Sequence, residues 1–211
     1  MAVKFEELVR IVGREPVFRA SVLGAGDVTL DELRVQLSRW VRAGKLIQLR
    51  RGVYALAPPH RQVEPHPFLL AQTLRANSYI SLQSALLYHG LIPEHVAAVT
   101  CITTGRTEEL HTDLGAFIFR HVAKDYFFGY RQTDLVQGQR AFVATAEKAI
   151  LDLVYLTPGG DREAYLRELR LSNLASVRMD LLSDAATRMG KPKLMHALRV
   201  LHRLQEEGES S

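Results

Sequence analysis

One cysteine, Cys101, stands among 211 residues. An intrachain disulfide is therefore impossible, and a metal cluster built from cysteines is excluded. No apolar run approaches the roughly 20 residues of a membrane-spanning helix. The opening MAVKFEELVRIVG is too charged, and its apolar runs too short, for a signal peptide. A soluble, cytoplasmic protein with no membrane partner is expected. Internal repeats are missing, and low complexity is confined to the EEGESS tail, which is expected to fray. Acidic residues are missing from one stretch in particular. Between Leu33 and Arg51 the chain carries six basic residues (Arg34, Arg39, Arg42, Lys45, Arg50 and Arg51) and no acidic one.

What is present is otherwise ordinary for a globular chain: 47% hydrophobic and 24% charged residues. The net charge of +4 is unevenly placed. Residues 1–57 hold ten Lys/Arg against six Asp/Glu, whereas residues 58–211 hold 17 of each. A basic excess confined to one segment is the footprint of a polyanion-binding module.

The centre of that segment is Thr29–Ala57. Leu30, Leu33, Leu37, Trp40 and Val41 recur at helical spacing and form one apolar stripe. Asp27 and Thr29 are placed to cap its first turn, and Gly44 to end it in a left-handed turn. Beyond Gly44 the pattern alternates. Leu46, Ile47 and Leu49 lead into Arg50-Arg51-Gly52, and Val53, Tyr54 and Leu56 lead out, which predicts two short strands about a tight turn. A helix running straight into a small hairpin is the second half of a winged helix-turn-helix. Arg39, Arg42 and Ser38 point away from the stripe, with Arg34 and Val35 nearby. Lys45 lies at the helix exit, and Arg50 and Arg51 at the hairpin tip. Such a helix presents donors to base edges in a major groove, and such a wing presents cations to phosphate or the minor groove. The alternative is an amphipathic helix with a solvated basic face.

Upstream, Phe5, Leu8, Val9 and Val12 predict a first helix closed by Gly13. VFRASVLGAG predicts a short second one through Phe18, Val22 and Leu23, stopped at Gly24 and Gly26. Downstream, PPHRQVEPHP (58–67) holds four of the eight prolines and reads as a stiff polar linker. The expected domains are thus 1–57, a winged helix, and 68–211, an α+β unit. The latter opens with a helix over Phe68–Arg75. A second, capped by Ser81, carries Leu82, Ala85, Leu86 and Tyr88 and closes at Gly90. Strands are expected at Ala97–Thr103, Ala116–Val122, Tyr126–Tyr130 and Ala141–Val143, with TGRTEELHTDLG and VQGQR as turns. Helices follow from Thr145, after Asp161, and around Arg178–Met189 and Pro192–Leu204. The fold class expected is α+β, a small and mainly antiparallel sheet with C-terminal helices.

Candidate chemistry in the second unit is thin. His111, Asp113 and His121, or His89 with His95, lack the spacing of a zinc site, and no HExxH occurs. Glu147 and Asp152 fall on different faces of one helix, so Glu147 next to Lys148 reads as a first-turn charge and salt-bridging pair. Cys101 lies in the apolar run AAVTCITT and reads as a buried thiol. Ser81 and Ser84 precede His89 without a GxSxG, and no phosphate loop of the GxxxxGK[ST] type is present. TPGGD reads as a tight helix–helix connection. Tyr126, Phe127, Phe128 and Tyr130 read as core, with a stacking or partner surface as the alternative. Neither an enzyme nor a cofactor or metal is implied.

Four passages carry a family resemblance: RRGVYALAP (Arg50–Pro58), YISLQSALLYHGLIP (Tyr79–Pro93), GAFIFRHV (Gly115–Val122) and AFVATAEKAILDLVYL (Ala141–Leu156). Taken in order along nearly the whole chain, they resemble the AbiEi family, antitoxins of bacterial abortive-infection (type IV) toxin–antitoxin systems that act in phage defence. The resemblance implies an N-terminal winged helix that binds inverted repeats in double-stranded DNA of its own promoter and represses it. It also implies a C-terminal domain that counteracts a nucleotidyltransferase-like toxin encoded nearby. A stand-alone transcriptional regulator, or a protein-interaction module with no toxin, is the alternative.

Overall fold

The computed structural model describes residues 4–23, 30–93 and 96–209. The expected caps Asp27 and Thr29, the stops Gly24 and Gly26, the side chain of Leu30, and His95 lie outside the described residues. The chain is α+β, with a three-stranded sheet near its beginning and a six-stranded sheet beyond.

The first helix, α1 (Phe5–Val12), buries Phe5, Leu8 and Val12 on one face, as their spacing predicts. The expected second helix is not found where Phe18 and Val22 placed it. Phe18–Arg19 is a short strand, β1, followed by a 3-10 turn at Ala20–Leu23. A helix would bury Phe18 and Val22 together, but Val22 is 55% exposed. Neighbours Val17 and Phe18 are both buried, each in a different core, which is the alternation of a strand. Helix α2 (Leu30–Arg42) then leads to β2 (Leu46–Arg50) and β3 (Val53–Leu56). Gly44 (φ +68°) ends α2, with the Lys45 N–H donating to the Trp40 carbonyl in a six-to-one closure. Gly52 (φ +79°) makes the turn between the strands.

The three strands pair antiparallel in the order β1-β3-β2. Both faces of this sheet are buried. Phe18, Leu46, Tyr54 and Leu56 join the core formed with α1 and α2. Val17, Leu49, Val53 and Ala55 belong to the core of the α+β unit, with Ile47 packed against it. Alternate residues of β3 thus serve two different cores. The boundary expected at 58–67 does not separate two independently packed halves, because the wing is a layer common to both.

The connector is tied down as well. Gln139 accepts from the His66 N–H (2.8 Å) and donates to the Glu64 carbonyl (2.9 Å), while His60 sits edge-on to Phe5. Nδ1 of His66 accepts from the Phe68 N–H and so caps α3 (Pro67–Leu74). Next come β4 (Ser78–Ile80), α4 (Leu82–Tyr88), β5 (Ala98–Thr103), β6 (Glu108–Thr112), β7 (Gly115–His121), β8 (Tyr130–Asp134) and β9 (Arg140–Ala144). They form one sheet in the order β6-β7-β5-β4-β9-β8. Three of its pairings are antiparallel, while β5–β7 and β4–β9 run parallel.

Besides β4, where no strand is expected, two segments differ from expectation. The turn predicted at TGRTEELHTDLG contains β6, whose EELHT sequence is half polar because it is an edge strand. The strand predicted at Tyr126–Tyr130 begins only at Tyr130, after a 3-10 turn at Lys124–Tyr126. Phe127 and Tyr130 both meet the Tyr79 ring, and Phe128 lies instead against Arg188 and Lys148, so the aromatics do not alternate. Helices α5 (Ala146–Leu156), α6 (Glu163–Glu168), α7 (Met179–Met189) and α8 (Pro192–Glu209) complete the chain. Thr145 caps α5 by accepting from the Lys148 N–H. Asp161 does not cap α6; it pairs with the His196 ring at 3.1 Å. Helix α8 continues into the tail expected to fray, as far as Glu209. Among the described residues no helix is long and apolar enough to cross a membrane.

Candidate nucleic-acid interface

Helix α2 is held by its apolar stripe. Leu33, Leu37 and Trp40 are buried, and Trp40 meets Phe5 edge to face at 5.5 Å. This anchorage turns Val35, Ser38, Arg39 and Arg42 to solvent. Asp31 lies on the same outward face, one turn earlier, and accepts from Arg34 at 2.9 Å. That pair is exposed on both sides, and such pairs are worth ~0–1 kcal/mol. The Arg42 Nε lies 3.4 Å from the Ser38 carbonyl. Among the described residues Arg39 and Arg51 make no ion pair, and both are exposed, Arg51 at the turn of the wing.

Two of the expected cations are placed elsewhere. Lys45 is half-buried with its ammonium 4.6 Å from the centre of the Phe5 ring. Arg50 does not project from the hairpin tip. The register of β2 slips between Gln48 and Arg50, so that Arg50, not Leu49, stands opposite Val53. One extra residue reverses the alternation, and Arg50 takes the Val53 face, toward the α+β unit. Its guanidinium lies 3.2 and 3.3 Å from the two carboxylate oxygens of Glu108 and 3.4 Å from the Leu74 carbonyl. Arg75 holds the same carboxylate more closely, and Arg19 donates to the Thr73 carbonyl at 2.6 Å. Burial raises the Glu108 carboxyl, but the hydrogen bonds and charges of Arg75 and Arg50 outweigh it and hold the group below its ordinary value. No signal in the order of residues places Glu108 beside the wing, 58 positions away.

The expected basic ridge is therefore divided. Ser38, Arg39 and Arg42, with Arg34, are exposed on α2 and Arg51 is exposed at the hairpin turn, whereas Lys45 and Arg50 serve packing and docking.

The second unit contains a polar centre that the helical pattern only half reveals. Lys148 and Asp152, four apart on α5, form a buried ion pair. Asp152 also accepts from Tyr79 Oη (2.9 Å) and Ser81 Oγ (2.8 Å), so the Ser81 hydroxyl serves Asp152 and does not cap α4. Burial raises the Asp152 carboxyl and lowers the Lys148 ammonium. Glu147 is not the partner of Lys148; it accepts from the Arg178 N–H at the start of α7. Ser84 exchanges hydrogen bonds with the Thr100 backbone and hydroxyl. His89 and His121 contact the Ala144 and Gly105 carbonyls. Cys101 is fully buried, which pushes its thiol up. Among the described residues no three His, Cys, Asp or Glu side chains converge on a possible metal position.

Residues 4–57 match the family described as "Transcriptional regulator, AbiEi antitoxin". No curated protein matches the chain. The fold is similar to that in the crystal structure of the RV2827C protein from Mycobacterium tuberculosis. That likeness has a TM-score of 0.57 at 16% identity, over 93% of this chain and 76% of the other. The matched segment is the one that bears α2, the wing and the outward basic face. Residues 4–57, about a quarter of the chain, are thus similar to the AbiEi antitoxin family of transcriptional regulators.

Proposed function

We propose that this chain is a double-stranded DNA-binding autorepressor that sets α2 into the major groove of inverted repeats in its own promoter. Arg39, Arg42 and Ser38 face base edges. Arg51 and Arg34 hold phosphate, and Leu33, Leu37 and Trp40 fix the helix that presents them. The observation that carries this reading is the outward face of α2. Four polar or basic positions on a firmly packed helix stand exposed, as does Arg51 at the turn of the hairpin that follows it. Such work belongs in the cytoplasm, where the promoter is. The α+β unit, on the resemblance described above, counteracts a nucleotidyltransferase-like toxin encoded nearby.

A binding titration over a range of salt tests the DNA role. Arg51→Ala should weaken binding to every duplex alike and flatten the log–log salt dependence by about 0.9 for the lost phosphate contact. Arg39→Ala should instead relax preference among sequences, by about 1–3 kcal/mol at one position. Variants that bind as the parent does, in both strength and preference, would remove the DNA reading. Co-purification of the intact chain with the product of the adjacent reading frame tests the toxin role.

A further inference from the structure

Glu108 stands at the start of an edge strand of the larger sheet, yet its carboxylate reaches back to the wing. Its two arginines hold it unequally. Arg75 is the closer partner, and its guanidinium also lies 5.5 Å from the Phe119 ring. Arg50 approaches only to 3.2 and 3.3 Å, beyond the ~2.7–2.9 Å usual for charge-assisted bonds. The Arg50 side chain is 39% exposed and adjoins the exposed Arg51 in the chain, so solvent reaches it.

We propose that Glu108 withholds Arg50 from DNA. It is a positioning carboxylate that keeps one wing cation turned toward the α+β unit and so limits how many phosphates the wing grips. This rests on the DNA-binding reading above. Arg50 has three acceptors where it is, two carboxylate oxygens and the Leu74 carbonyl. Without the carboxylate charge it faces only neutral acceptors, the Leu74 carbonyl at 3.4 Å and at most one side-chain oxygen at position 108, and a phosphate near Arg51 becomes the better partner. The apolar contacts of Val17, Leu49, Val53 and Ala55 keep the wing docked throughout, so only a side chain need move. The coupling is reciprocal. Anything that draws Glu108 away raises affinity for DNA, and DNA that captures Arg50 leaves Glu108 to Arg75 alone.

The test uses the full chain and a mixed-sequence duplex titrated across a salt series. Glu108→Gln should steepen the salt dependence by about 0.9 and bind roughly eightfold tighter at ~0.1 M salt, the effect of one added phosphate contact. Arg50→Gln alone should leave the parental slope, and in the Glu108→Gln background it should abolish the gain. Glu108→Asp, which keeps the charge, should restore parental behaviour. An unchanged slope in Glu108→Gln would reduce the contact to a structural brace. A gain that persists without Arg50 would show that Glu108 acts only through its own charge. Either result overturns the proposal while leaving the DNA reading intact, whereas a parent that binds no duplex overturns both. Thermal unfolding of each variant separates these results from loss of fold.

Discussion

Asp152 accepts from an ammonium and two hydroxyls with no access to water. Replacing it by Asn keeps the shape and some hydrogen bonding but leaves Lys148 as a buried charge without a counter-charge. Breaking one side of such a pair costs about 3–5 kcal/mol. Asp152→Asn is expected to lower the unfolding temperature by roughly 10 °C, since ~1 kcal/mol shifts a chain of this size by about 2–4 °C. Calorimetry checks it, and an unfolding temperature within error of the parent would contradict it. The spacing of Lys148 and Asp152 is legible in the sequence as an ordinary helical pair. Its burial is not, because that depends on Tyr79 and Ser81, more than 70 positions earlier, meeting the same helix face. Arg50 is the sharper case. A single-residue bulge decides which way it points, and nothing in LIQLRRGVYAL marks where the extra residue falls.

At the scale of elements, those with a strong period agree with what the residues predict. The stripes of α1 and α2, the hairpin of β2 and β3, and α5 with its Thr145 cap are the examples. Short or polar elements were hidden. β1 has two residues, β4 has three, and β6 is an edge strand with polar positions. One available signal concerned the wing itself. A wing with one face in solvent would alternate apolar and polar, yet Val53–Leu56 is apolar at every position and buried throughout. That continuity marks a strand covered on both faces. It follows that residues 68–211 alone expose the surface normally covered by Val17, Leu49, Val53 and Ala55. The isolated fragment is expected to bind a hydrophobic dye strongly and to precipitate at concentrations where the full chain stays clear. A fragment that unfolds cooperatively and binds no dye would show that the shared layer is dispensable.

For the molecule as a whole, the proline-rich connector does not mark two independently packed segments. The wing, Gln139, and the Arg50–Glu108–Arg75 cluster all tie them together. Helix α2 is consequently mounted on a body that includes both sheets, with Val35 at the centre of its outward face, 51% exposed. The most direct measurement places a photo-crosslinking amino acid at Val35, and separately at Ile11 on α1, which is also exposed. The full chain is then irradiated with duplex DNA from upstream of its own gene. Crosslinks from position 35 to bases of the duplex and none from position 11 are expected. A chain that binds the duplex but crosslinks from position 11, with position 35 silent, would contradict the seating of α2 in the groove.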